Sequence, residues 1–147
     1  MIKIKQATLN DLDKLAILFD KYRVFYEKES DINAARIFLT SRIEASESVI
    51  YISFEEDVAT GFTQLYPLFS STRMKRLWLL NDLFVDNNYR GKGISKALLE
   101  KAKEQCKQTD GCAVILETAK SNVVGNNLYP SAGFTLDQEH NYYSWDR

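Results

Sequence analysis

The chain has 147 residues, 45% of them hydrophobic and 12% aromatic, enough for one domain spanning 1–147 to bury a core without a metal or disulfide staple. Its 19 basic and 20 acidic side chains give a net charge of −1, which excludes the basic excess of a general nucleic-acid binder but allows a local acidic pocket. Cys106 and Cys112 have no His or Cys partners at metal-like spacing, so they read as half-buried structural thiols and no metal is expected.

The N-terminal run MIKIKQATLNDLD lacks an apolar signal core. No apolar stretch approaches the roughly 20 residues that span a bilayer, so a soluble, cytoplasmic protein without membrane partners is expected. Ile2 and Ile4 alternate with lysines as in a short strand. Thr8 then caps a helix, with Asp11 bonding back to it. Leu12, Leu15, Leu18, Phe19, Tyr22 and Tyr26 recur at three- and four-residue steps, the apolar face of that helix. Ser30-Asp31 breaks the pattern, and a second helix follows with Ala34, Ile37, Phe38 and Ser41 on one side.

From Val49 the period changes. Val49 to Phe54, a polar turn at Glu55-Glu56-Asp57, and Val58 to Phe69 form a hairpin, and Arg73 to Val85 adds another strand. Arg90-Gly-Lys-Gly93 leads into a helix with Ile94, Ala97, Leu98, Ala102 and Gln105 on successive turns. Ala113 to Leu116 reads as a central strand, Asn122 to Ser131 as a short helix, and Phe134 onward and Tyr142 to Trp145 as the last two strands. The order βααβββαβαββ predicts a mixed α/β fold, six to seven strands in a central sheet flanked by about four helices.

Two segments carry chemistry. Gly91 and Gly93 leave backbone amides unshielded where a helix begins, and free N–H groups with the positive end of the helix dipole make an anion site. Arg90 and Lys92 add charge, and a pyrophosphate is the natural occupant; the spacing is not that of a nucleotide P-loop. The second segment, Asn122-Val-Val-Gly-Asn-Asn-Leu-Tyr-Pro-Ser-Ala-Gly-Phe134, places Tyr129 near a helix end just before a Gly-Phe turn.

Together, Tyr89-Arg-Gly-Lys-Gly-Ile-Ser-Lys-Ala-Leu-Leu99 and Asn122…Leu128-Tyr129…Gly133-Phe134 resemble the two signature segments of the GNAT superfamily of N-acetyltransferases. The resemblance covers essentially the whole chain. Ser95 and Gly125 depart from the family's usual small residues but remain small.

The resemblance implies acetyl-CoA as co-substrate. The main chain of Leu83, Phe84 and Val85 would hold the pantetheine arm on a strand splayed from its parallel neighbour. Amides from Arg90, Gly91, Lys92, Gly93, Ile94 and Ser95 would hold the pyrophosphate, and Asn122 would bond the pantetheine side. Tyr129 would direct its hydroxyl at the thioester sulfur, where a phenol of pKa about 10 can protonate a departing thiolate. Direct attack by an amine needs neither an enzyme nucleophile nor a metal. Asp82, sharing a face with Phe84 on strand alternation, is the candidate to hold the acceptor ammonium and pass its proton to water, with a hydrogen-bonded strand carboxylate as the alternative. Glu27, Glu29 and Asp31 are further charges near an acceptor mouth.

Leu80-Asn-Asp-Leu-Phe-Val85 is similar to the Leu-Glu-Asp-Ile-Tyr-Val segment of spermidine/spermine acetyltransferases, with Asn81 in place of the glutamate. Tyr22, Tyr26 and Trp78 are candidates to line an alkyl-ammonium slot, or are core aromatics. The leading expectation is acetylation of a small amine such as a polyamine, diamine or amino acid. Acetylation of a protein lysine or N-terminal amine, and a non-catalytic acetyl-CoA sensor, are the alternatives. His140 reads as a surface residue, and the resemblance suggests a homodimer.

Overall fold

Alternation in Ile2–Gln6 makes β1, which pairs antiparallel with β2 (Val49–Glu55); β2 pairs antiparallel with β3 (Val58–Ser70), and β3 with β4 (Lys75–Val85). β4 runs parallel to the two-residue β5 (Val114–Ile115), so the sheet is mixed, in the order β1-β2-β3-β4-β5. A computed structural model describes residues 1–147, and the chain divides into units Met1–Glu117 and Thr118–Arg147. The first carries the whole sheet with α1 (Leu12–Phe25), α2 (Ile32–Glu44) and α3 (Ile94–Gln108). The second carries α4 (Val123–Ser131).

Helix starts follow local chemistry. Thr8 accepts from the amide of Asn10 while its own amide donates to Asp11 at 2.9 Å, a reciprocal cap over a short turn that runs into α1. Asp31 caps α2 by accepting from the amide of Ala34 at 3.0 Å. The sheet is covered on both faces of its middle strands, which is why β2 and β3 read as near-continuous apolar runs. On one face Ile50, Ile52, Phe62 and Phe84 pack with Leu15, Leu18 and Phe19 of α1 and Leu39 of α2. On the other, Tyr51 donates to Gln105 of α3 at 2.6 Å. Leu98 and Leu99 of α3 are fully buried, each stabilising the fold by about 1.5–3 kcal/mol relative to an exposed side chain.

Three expectations need correction. α2 buries Ala35 and Leu39, not the face of Ala34, Ile37, Phe38 and Ser41; Ile37 is 70% exposed. Apolar residues lie all around this helix, so its period alone does not choose the face. The sheet has five strands where six to seven were expected. Neither the segment from Phe134 nor Tyr142 to Trp145 forms a strand, and Leu136, Tyr142, Tyr143 and Trp145 are exposed. The hydrogen bonds of that stretch are local instead: Asp137 accepts from the amides of Glu139 and His140. Finally, Ala113 to Leu116 shortens to two paired residues at the sheet edge, with Ile115 exposed.

Candidate active site

β4 carries the first unit's candidate residues. Its ladder with β3 runs in register from Ser70↔Lys75 to Leu65↔Leu80, skips Asn81, and resumes at Gln64↔Asp82, Thr63↔Leu83 and Phe62↔Phe84. Asn81 is therefore a bulge, and a bulge of one residue turns everything beyond it to the opposite face. Trp78, before the bulge, faces α3, where its indole N–H donates to Thr109 at 2.9 Å. Asp82 and Phe84, after it, face α1 and α2 with Gln64 and Phe62. Trp78 is 4% exposed, so it is a core residue and leaves the candidate acceptor slot.

Asp82 is 6% exposed. Its carboxylate accepts from Gln64 Nε2 at 2.8 Å and from Asn81 Nδ2 at 3.1 Å, both neutral amides. Tyr66, on the same face of β3 as Gln64, has its phenol pushed up to about 12 by burial and then by the Asp82 charge. Tyr26 caps the end of α1, exposed, its ring edge-on to Tyr22 and Phe25, and Phe25 in turn packs toward Phe84. A cavity of about 430 Å³ opens here, lined by Lys21, Val24, Phe25, Phe84, Asp86 and Asn88 among others. In its wall Lys21 donates to Asp86 at 2.6 Å, and that bond, with the amide of Asn88, holds the Asp86 carboxyl below its usual range. Of the acidic residues proposed for an acceptor mouth, Asp31 is engaged as the α2 cap and Glu29 accepts from Arg23 through its backbone oxygen.

The ladder of β4 with β5 ends at Leu79↔Ile115, so Leu83, Phe84 and Val85 run on without a strand on that side. The chain then turns through Asn87–Tyr89 into the loop Arg90-Gly91-Lys92-Gly93. Gly91 and Gly93 have φ of 80° and 81°, a conformation that costs other residues about 1–2 kcal/mol, and a Cβ at either would meet no atom within 4 Å. Gly93 is the N-cap of α3, and its carbonyl accepts from the amide of Ala97 at 3.1 Å. The amides of Ile94, Ser95 and Lys96 open the helix and have no acceptor within it. That combination of open space, free N–H groups and helix dipole fits a pyrophosphate.

The loop's basic side chains are tied back. Arg90 Nε donates to the Val85 carbonyl at 3.1 Å, and its guanidinium lies over the rings of Phe25 and Phe84 at 5.4 and 5.9 Å. Lys92 bonds both carboxylate oxygens of Glu55, at 3.0 and 2.9 Å. The backbone amides at the start of α3 are thus the groups left open for an anion, and the two basic side chains are held by Val85 and Glu55.

In the second unit, Asn122 caps α4, accepting from the amide of Gly125 at 3.0 Å and donating to Thr118 at 2.9 Å. A Cβ on Gly125 would lie 2.5 Å from Asn122 Nδ2, so an alanine there would require the Asn122 side chain to shift. Tyr129 is half-buried on α4, its ring edge-on to Phe134 at 6.0 Å, and its carbonyl accepts from the amide of Phe134 at 3.0 Å. His140 is exposed and hydrogen-bonded to Asp137, in keeping with a surface residue. No group of three or more His, Cys, Asp or Glu side chains gathers where an ion could be held, and no helix is long and apolar enough to cross a membrane. Gln64, Ser48 and Tyr66 were not among the sequence candidates; strand alternation placing Gln64 between Phe62 and Tyr66 was the available signal.

A strand that runs on past its parallel neighbour into a two-glycine turn at a helix start is the arrangement that the resemblance to N-acetyltransferases implies. Comparison with known proteins agrees. The family model for the Acetyltransferase (GNAT) family matches residues 15–134. The N-acetyltransferase YhfO of Bacillus subtilis (strain 168), itself uncharacterized, is 42% identical over 97% of this chain and 95% of its own. A probable acetyltransferase of Haemophilus influenzae is 29% identical over 97% of this chain and 96% of its own. A crystal structure of a probable acetyltransferase superposes with a TM-score of 0.94 at 42% identity, covering 99% of this chain and 97% of that one. The chain belongs to the GNAT family and is an acetyl-CoA-dependent N-acetyltransferase.

Proposed function

We propose that the chain, as one acetyltransferase domain over 1–147, acetylates a small amine that carries positive charge: a polyamine, a diamine or an amino acid. The observation that carries this reading is Asp82, a carboxylate at 6% exposure whose partners are both neutral amides, next to the stretch of β4 that parts from β5. A buried charge without a counter-ion is costly, and an incoming ammonium offsets that cost.

Acetyl-CoA supplies an activated acyl group as a thioester. In this reading the main chain of Leu83, Phe84 and Val85 and the amides from Arg90 to Ser95 hold it, and Asn122 bonds its pantetheine side. Asp82 receives the acceptor ammonium and passes one proton to water, leaving a neutral amine. The amine nitrogen bonds to the acyl carbon, the carbon–sulfur bond breaks, the Tyr129 hydroxyl gives its proton to the departing thiolate, and the proton shed by the acylated nitrogen restores the phenol through solvent. Tyr26 and the neighbouring Phe25 ring offer an apolar wall for the amine's carbon chain.

A cytoplasmic setting is consistent with two free cysteines, Cys106 and Cys112. The exposed Leu136, Tyr142, Tyr143 and Trp145 favour a homodimer in which a second copy covers them. Thiol release from acetyl-CoA, measured with spermidine, 1,4-diaminobutane, free amino acids and lysine-containing peptides, tests the proposal. Turnover with the small amines, lost in Tyr129→Phe and with a raised acceptor KM in Asp82→Asn, is the expected result. Turnover confined to peptides would overturn it.

A further inference from the structure

Gln64 has no exposed surface and lies on a sheet face whose neighbours are Ile50, Phe62 and Phe84. Burying a side-chain amide among apolar groups is unfavourable unless every polar atom is matched. Both polar ends of the amide are engaged. Gln64 Oε1 accepts from the Ser48 hydroxyl at 2.8 Å, and Gln64 Nε2 donates to Asp82 Oδ2 at 2.8 Å. Rotating the amide by half a turn would set its oxygen against the carboxylate and leave two acceptors facing each other. The carboxylate therefore fixes which end of Gln64 it meets, and the Ser48 hydroxyl supplies the donor that the amide oxygen then needs. Asn81 Nδ2 engages the other oxygen, Oδ1, at 3.1 Å.

A carboxylate offers about four acceptor directions, and these two bonds use two of them. Tyr66 comes next on the same face of β3, with a phenol that stays protonated well into the alkaline range. Asp82 acts on Tyr66 from β4, as do Arg42 of α2 and Glu47 of the loop after it, which pair with each other at 3.0 Å. The one net negative charge of the group is that of Asp82.

We infer that Asp82, Gln64, Ser48 and Tyr66 form an ammonium-recognition subsite in which Gln64 is the positioning residue. The Ser48 hydroxyl donates to the Gln64 amide oxygen, the amide anchors one edge of the carboxylate, and the remaining lone pairs are held ready for a protonated amine. This rests on the reading of Asp82 as the acceptor-binding group. It adds the two residues that orient the carboxylate and a phenol next along the same face of β3. It also makes the acceptor's charge, rather than its carbon skeleton, the recognised feature.

The test uses the full chain with spermidine as the probe, read two ways: calorimetric binding without acetyl-CoA, and steady-state KM and kcat with it. A hydrogen bond to a charged group contributes about 1.5–3 kcal/mol, so Gln64→Leu should weaken spermidine binding and raise its KM about tenfold or more. The KM for acetyl-CoA should move less than about twofold, while the thermal midpoint falls because Asp82 and Ser48 each lose a hydrogen-bond partner. Ser48→Ala should raise the spermidine KM about threefold, with Ser48→Thr restoring it, since the weakened link is one neutral hydrogen bond. Equal changes in both substrates' KM would mark Gln64 as a structural residue and overturn its positioning role. If Asp82→Asn raises the spermidine KM and Gln64→Leu does not, Gln64 has no such role while the acceptor reading survives. Asp82→Asn without effect, or no spermidine binding by the unaltered chain, would overturn the subsite itself.

Discussion

Gly93→Ala separates the two demands that the phosphate loop places on its backbone. Gly93 caps α3 at φ 81°, ψ 10°, and a Cβ there would meet nothing within 4 Å. No clash contributes, so the whole effect is the left-handed backbone, about 1–2 kcal/mol for alanine. Alanine also narrows the unfolded ensemble, which returns about 0.4–1 kcal/mol, and the net loss should be near 1 kcal/mol. For a chain of 147 residues that lowers Tm by about 2–4 °C. If the loop instead escapes the strain by moving to negative φ, the amides at the start of α3 swing away, and the loss appears in acetyl-CoA affinity. Calorimetric Tm and acetyl-CoA titration on the same variant follow both routes. Gly61→Ala is the control: its Cβ would meet the Phe84 carbonyl at 2.7 Å, so it should cost about 1–3 kcal/mol by pushing β3 from β4. A Gly93→Ala variant with unchanged Tm and unchanged acetyl-CoA binding would refute the claim that this turn needs glycine.

Four further outcomes are expected. Leu98→Ala, at a site with no exposed surface, should lower unfolding free energy by about 2–5 kcal/mol in urea titration. Trp78→Phe removes the indole donor to Thr109 and should cost about 1 kcal/mol of stability while leaving acceptor KM unchanged; a raised KM would return Trp78 to the acceptor site. The Asp86 carboxyl lies below its usual range through Lys21 and the Asn88 amide, so its contribution is present above the unfolded value of about 3.9 and is lost as pH falls through the lower folded value. Acid unfolding of Asp86→Asn should accordingly show a shallower loss over that window than the unaltered chain. The Tyr66 phenol, raised to about 12, favours the folded state below the unfolded value near 10 and loses that contribution as pH rises from there through 12. Ultraviolet titration should show one tyrosine ionising last, and Tyr66→Phe should remove it.

Much of this was legible because it rests on local rules. The Thr8–Asp11 cap, the β2–β3 hairpin and the two-glycine turn follow from residue types whose backbone preferences survive in any context. The buried face of α2 was not legible. Phe38 reaches back to stack on Phe19 at 5.7 Å and is covered by Arg42, so an apolar residue on the outer side finds contacts without facing the core. The two C-terminal strands were misread because alternating aromatic residues suit a strand only when a partner strand is available to pair with them.

The bulge at Asn81 shows most directly why sequence could assign residues to a site and still misplace them. Trp78 and Asp82 are four apart, and in an unbroken strand they would share a face and form one slot. One unpaired residue between Leu80 and Asp82 sends Trp78 to α3 and Asp82 to α1 and α2. Nothing in Leu-Leu-Asn-Asp-Leu-Phe announces it, because asparagine is tolerated in a bulge but does not require one. The consequence is chemical. Once turned, Asp82 lies opposite Gln64 rather than against the α3 face, where Thr63 and Leu65 stand, and Gln64 is the residue on β3 able to hold a carboxylate without neutralising it. The β5 ladder ends at Leu79, before the bulge, so Leu80 to Val85 all run on beyond it, and the skip decides which of their side chains face α1 and α2.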